Sequence, residues 1–294
     1  MDAFLAIAGF EARTRLKRLS TWAYFAVFFA LSMLWIAAAG GAIEGAIISF
    51  GSGKVWINSP YAIAQTVVFL GMVALTVIGA VMGRAIQQDA EHRTEAFFHT
   101  APIGRLAYLG GRFAGAVVVL VAILSSIALG SLAGLALPGI DPDRVGPVRL
   151  APYLIPYLTI LLPNVVVLGG IFFCLAALTR RMLPVYVGSV VLLVGYLAAN
   201  GLIRKLENKT LASMIDPFGS VAMSRLTEYW SIAERNEWLV PFEGLLAANR
   251  ALWLALAAVV LAWTFRRYRF SQPREGGRRR VDDGAPPARN RRNA

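Results

Sequence analysis

Six runs of mostly apolar residues, each about 20 residues long and so able to cross a hydrocarbon core as a helix, constrain this chain more than any other feature. They fall at residues 20–40, 61–83, 113–137, 153–178, 182–203 and 245–265. The runs are continuous rather than alternating with period two, which predicts helices and not the strands of a barrel. Only the last contains a charge, Arg250, near enough to one end for its long side chain to snorkel to the interface. With 57% apolar and 16% charged residues, the chain would leave too much apolar surface in water for a soluble domain. The expected fold is an all-α polytopic membrane protein with six transmembrane helices.

The loop charges predict an orientation. One side holds Arg13, Arg15, Lys17 and Arg18, the loop with Arg84, Arg93, Arg105 and Arg112, the turn Arg180–Arg181 and an arginine-rich tail. That side carries 20 of the 29 basic residues against 8 acidic ones, so it holds the whole net charge of +12. By the positive-inside rule it is cytoplasmic, with both termini there, in the inner (plasma) membrane. The same distribution removes the nucleic-acid reading of a basic chain, since no polar surface interleaves aromatic and basic residues. Ala37-Ala38-Ala39 resembles a signal-peptide cleavage site, but the preceding run is long enough to stay as a span. The lone cysteine, Cys174, lies inside an apolar run and excludes a disulfide framework.

Residues 1–19 form a segment of their own. Phe4, Leu5, Ala8, Ala12, Leu16 and Leu19 recur at helical spacing with Glu11, Arg15 and Arg18 off that stripe. This fits an amphipathic interfacial helix along the inner leaflet, and equally an extension of the first span. Residues 20–270 make the six-helix domain, and 271–294, rich in Gly, Pro and Arg, read as a disordered basic cytoplasmic tail.

The cytoplasmic loop after the second span alternates its charges, carries Phe97 and Phe98 for an apolar contact, and ends any helix at Pro102. A short helix beneath the membrane, suited to docking a partner, is expected there, where a plain solvated connector is the alternative. His92, Glu95 and His99 share one helical face, yet without a thiolate or an H-E-x-x-H pattern they do not make a metal motif. On the external side, residues 204–243 contain Asp216-Pro-Phe-Gly219, with Asp216 placed to cap a helix that has Pro217 at its first position. Tyr229, Trp230 and Trp238 are the aromatic type of the headgroup level, which points to short interfacial or re-entrant helices. Residues 138–152 read as a connector.

No catalytic constellation is present. Gly51-Ser-Gly-Lys54 lacks both the first glycine of a phosphate loop and the Ser or Thr after its lysine. The middles of the spans carry no charge, which tells against a self-powered ion-coupled transporter. What remains polar is Gln65, Asn164 and Asn200, with Pro156 and Pro163 expected to bend the fourth span. These side chains are candidates for a weakly polar translocation surface, and equally for hydrogen bonds between helices. Gly111-x-x-x-Gly115 and Gly130-x-x-x-Gly134 signal close helix packing, within the chain or between subunits.

Taken in order, an N-terminal interfacial helix, six spans, a cytoplasmic coupling helix and short external helices before the sixth span resemble the membrane subunit of type 2 ABC exporters. Asp89-x-Glu91-x-Arg93-Thr94, then Phe97-Phe98-His99-Thr100-x-Pro102-Ile103, is similar to that family's coupling segment. Asp216-Pro-Phe-Gly219, Tyr229-Trp230, Ala233-Glu-Arg-Asn236, Val240-Pro241 and Asn249-Arg250-x-x-Trp253 resemble a subgroup often fused to a zinc aminopeptidase-like domain, which this sequence does not contain. The resemblance implies a permease that exports an amphipathic or hydrophobic cargo and is not itself an enzyme. ATP and magnesium would sit on separate ABC ATPase subunits, and a second permease half, identical or not, would complete the pathway among membrane lipids. Gln88, Asp89, Glu91, Arg93, Thr94, Glu95, Phe97, Phe98 and Pro102 would couple to the ATPase. A membrane scaffold that recruits an extracytoplasmic hydrolase is the alternative.

Overall fold

The computed structural model describes residues 2–46, 48–51, 54–91, 104–205 and 208–268, and these form helices and connecting turns without a strand. In chain order the helices are α1 (Asp2–Leu16), α2 (Leu19–Ala39), α3 (Pro60–Val73), α4 (Leu75–Glu91) and α5 (Arg105–Gly134). They continue as α6 (Ala151–Thr179), α7 (Met182–Lys205), α8 (Lys209–Ile215), α9 (Ser220–Leu226), α10 (Ile232–Glu237) and α11 (Gly244–Arg267). Among the described residues, five helices are long and apolar enough to cross a membrane, or six when α3 and α4 count as one span. This is the pattern of a multi-pass α-helical membrane protein.

Helix α6 is the centre. In its most apolar stretch 78% of residues are buried, against 17% in α7 and 22% in α11. Helices α4 and α11 pack against it, and α7 lies on α4. The outer helices turn Val187, Val191, Leu197, Leu252 and Val259 outwards, as lipid-facing surfaces do.

Two of the apolar runs depart from a regular straight α-helix. The run 61–83 is broken at Ala74, where α3 and α4 meet at 51°. No proline causes this, but Gly71 and Gly79 flank the break and the two halves seat on different partners. Gly71 backs onto Leu161 of α6, whereas Gly79 and Gly83 face Val185 and Met182 of α7. The fourth apolar run, where the prolines are expected to bend the helix, takes up a π turn over Tyr157–Leu161 between Pro156 and Pro163. Each proline removes a backbone donor, and a widened turn re-pairs the ladder around it.

Both glycine pairs of α5 are used within the chain. A Cβ at Gly115 would lie 2.8 Å from the Ala8 carbonyl of α1, and one at Gly134 would lie 2.9 Å from the Met33 carbonyl of α2. At Gly130 the Phe29 carbonyl and Ser32 hydroxyl of α2 leave no room at all. Van der Waals contact of this kind, rather than water exclusion, holds helices together in lipid. Gly130→Val should therefore part α2 from α5 at a cost of about 3 kcal/mol, read as a lower unfolding temperature in detergent. Gly195→Val, where no atom lies within 4 Å, is the control and should change little.

Candidate functional site

The basic end of the bundle is built around α1. Four residues of its expected apolar stripe do face inwards: Phe4 packs on Gly110, Ala8 backs onto Gly115, Ala12 is buried and Leu16 packs on the core, whereas Leu5 and Leu19 are exposed. Glu11 and Arg15, expected off that stripe, are 3% and 5% exposed and also point into the molecule. What admits these charges is Arg112 of α5. Glu11 binds Arg15 on its own helix and Arg112 across the interface, so one carboxylate joins two guanidinium groups. Glycines 111 and 115 let α1 approach closely enough for this. Arg112 also lies over the Tyr108 ring at 5.7 Å.

Arg15 reaches further, donating from Nη1 to the Val81 carbonyl of α4 at 2.7 Å. Burial lowers its pKa from the ordinary arginine value, and the Glu11 carboxylate opposes that shift. Where α1 ends, the Thr21 hydroxyl donates to the Arg15 carbonyl at 2.7 Å and the Trp22 indole to the Leu16 carbonyl at 2.9 Å. These bonds satisfy carbonyls that the helix end leaves open and set the turn into α2. Arg18, at that turn, hydrogen-bonds the half-buried Gln88 of α4.

Of the residues expected to couple to a partner, Gln88 is thus tied to the α1–α2 turn. Asp89 and Glu91 lie on the last turn of α4. Arg93, Thr94, Glu95, Phe97, Phe98 and Pro102 fall outside the described residues, as do His92 and His99. Gln65 is half-buried and donates to the Tyr61 hydroxyl one turn away at 3.1 Å. Asn200 lies towards the end of α7.

Asn164 belongs to a second polar cluster at the opposite end. Arg250 does not snorkel; it is 1% exposed and turned into the bundle. Its guanidinium donates to Asn164 Oδ1, to Asn249 Oδ1 and, at 3.1 Å, to the Pro217 carbonyl. Asn249 Nδ2 donates to the carbonyls of Ser213 at 2.6 Å and Asp216 at 2.9 Å, and Trp253 Nε1 to that of Met214 at 3.0 Å. Asn164 Nδ2 reaches the Phe218 carbonyl at 3.2 Å. So Asp216-Pro-Phe-Gly219 and Asn249-Arg250-x-x-Trp253, over 30 residues apart in sequence (roughly, as most loop connections are far shorter), form one knot, and Asn164 is consumed by it.

The turn meets expectation in part: the Asp216 carboxylate does take a backbone N–H in the first turn of α9, but the proline does not open that helix. Asp216 ends α8, and its carboxylate accepts from the backbone of Phe218 at 2.9 Å and Val221 at 2.7 Å. Pro217 is not the first residue of α9; Gly219 is the N-cap, at φ 75°. Glycine is required twice over, for that left-handed backbone and because a Cβ would meet the Arg250 guanidinium at 2.8 Å. Nearby, Ser231 and Glu234 form a capping box on α10, and the Ser231 backbone bond holds the Glu234 carboxyl below its usual range. Asn236 then accepts from Trp56 N at 2.9 Å and donates to the Lys54 carbonyl at 3.1 Å, pinning the loop before α3.

Sequence reasoning missed Glu11, Arg15 and Arg112 as a cluster. The i,i+4 pair Glu11–Arg15 could have been read, but its third member is 101 residues from Glu11. No protein-family model matches the chain, and no curated protein matches it either.

Proposed function

We propose that this chain is the membrane-spanning permease of an ATP-driven exporter of the type 2 ABC kind. In this reading it has six spans and places both termini in the cytoplasm. It moves an amphipathic or hydrophobic cargo across the inner membrane, working with separate ATPase chains and a second permease half. Its family likeness rests on the segments quoted above. The observation that carries the mechanism is the tie between α4 and the basic end. Helix α4 runs from Leu75 to Glu91, towards the acidic-Arg-Thr segment. Its Val81 carbonyl and Gln88 side chain are held by Arg15 and Arg18.

A load applied beyond Gln88 would therefore reach α1, α2 and, through Glu11 and Arg112, α5. An ATPase closing on ATP would supply that load, and the permease would supply only the difference in cargo affinity between its states. The knot around Arg250 would act as the fixed end against which the basic end moves.

The test is co-purification in detergent with an ATPase encoded beside the chain, followed by hydrolysis assays in lipid nanodiscs. A stable complex whose hydrolysis depends on the permease is the expected result. Within it, Glu91→Ala, Arg93→Ala and Pro102→Ala should each cut permease-dependent hydrolysis severalfold while the unfolding temperature holds. Normal coupling in all three variants removes that segment from the mechanism. Failure of every candidate ATPase to bind removes the exporter.

A further inference from the structure

A small cavity opens at the basic end, where α1 turns into α2 beside α4. It is lined by Arg15, Arg18 and Arg84 together with Ser20, Thr21 and Tyr24. Its volume is about 30 Å³, room for about two water-sized groups. That admits two of a phosphate's four oxygens and is far too small for a nucleotide.

The charges around it do not balance. Arg15, 5% exposed, uses Nη1 on the Val81 carbonyl and meets Glu11 on one side, but its Nη2 is buried without a hydrogen-bond partner. Arg84 is exposed beside the cavity and makes no ion pair among the described residues. Glu11, the carboxylate bound to Arg15, is shared with Arg112, and Arg18, which also lines the cavity, meets only the neutral Gln88 among the described residues and so adds to the positive sign. A buried guanidinium donor without an acceptor is costly, and an anion seated here would satisfy it.

The surroundings say what carries the anion. Leu19 and Trp22, next to Ser20 and Thr21, are 84% and 55% exposed and turn apolar surface outwards beside the cavity. Basic pockets between membrane helices, flanked by apolar surface, suit a headgroup phosphate whose acyl chains lie alongside. We propose that this cavity binds a phosphate oxyanion, presented by the headgroup of an anionic phospholipid. Arg15 offers its Nη2 donor from within, and Arg84 a planar guanidinium fork from the rim. This site needs the membrane reading of the chain and no ATPase.

The test uses the full chain purified in detergent. Its unfolding temperature is measured against added phosphatidylglycerol, phosphatidylcholine or inorganic phosphate, and native mass spectrometry counts retained lipids. Phosphatidylglycerol should raise the unfolding temperature and stay bound where phosphatidylcholine does neither. Arg84→Gln, which breaks no hydrogen bond or ion pair among the described residues, should weaken the phosphatidylglycerol response about tenfold, as loss of one charge-assisted bond does. Arg266→Gln, exposed in the last turn of α11, should leave it unchanged. An equal response to inorganic phosphate alone would overturn the lipid source and keep the oxyanion. A phosphatidylglycerol response that survives in Arg84→Gln, or no response to any anion, would overturn the site itself.

Discussion

Replacing Arg250 by leucine should lower the unfolding temperature in detergent by roughly 10 °C, corresponding to about 3–4 kcal/mol for a chain of this size. Leucine has a similar apolar body but no donors. Its introduction strands Asn164 Oδ1, Asn249 Oδ1 and the Pro217 carbonyl, which accept from the guanidinium. Asn164 and Asn249 are both 0% exposed, so water cannot replace what is lost. Arg250→Lys should recover less than half of the loss, because one ammonium cannot reach three acceptors spread around a planar fork. Tryptophan fluorescence during heating reads both variants, since Trp253 donates to the Met214 carbonyl within the same knot. A shift of only ~1 °C in Arg250→Leu, within the range of an ordinary surface change, would mean that the knot does not hold α8 and α9 to α11.

That knot shows where the sequence was informative and where it stopped. The apolar runs were legible because a span needs an uninterrupted stretch of fixed length, and α2, α6, α7 and α11 begin and end close to them, while α5 starts earlier, at Arg105. The break at Ala74 was not, because nothing local marks it; it follows from α3 and α4 seating on different partners. Arg250 near a helix end read as a snorkelling side chain, and only the distant Asn164 and Pro217 reveal that it turns inwards. The motif Asp216-Pro-Phe-Gly219 was visible as a string, but its reason, a positive φ under a guanidinium, exists only in three dimensions. Helix α1 was legible in part. Its stripe residues Ala12 and Leu16 pack inwards, but pattern alone places Glu11 and Arg15 outwards, and a charged partner 101 residues away draws them in.

The buried charges of α1 give the second large effect. Glu11→Gln should cost about 3 kcal/mol, because it leaves Arg15 and Arg112 buried side by side without the carboxylate that joins them. The damage should be local, since α1 meets the bundle mainly through α5. Trypsin cleavage after Arg13 and Lys17 should accelerate, whereas the loops pinned by Asn236 at the opposite end should cut no faster. Replacing all three charges by similarly sized apolar residues (Glu11→Leu, Arg15→Met, Arg112→Met) should cost less than Glu11→Gln alone. Deleting a whole buried network avoids stranded charges, and close packing around glycines 111 and 115 would remain. The triple variant then separates two roles of the cluster. If it is folded and stable yet no longer responds to phosphatidylglycerol or to a bound ATPase, the charges are retained for what they bind and transmit, not for stability. If it unfolds as readily as Glu11→Gln, the ion network is itself what fastens α1 to α5.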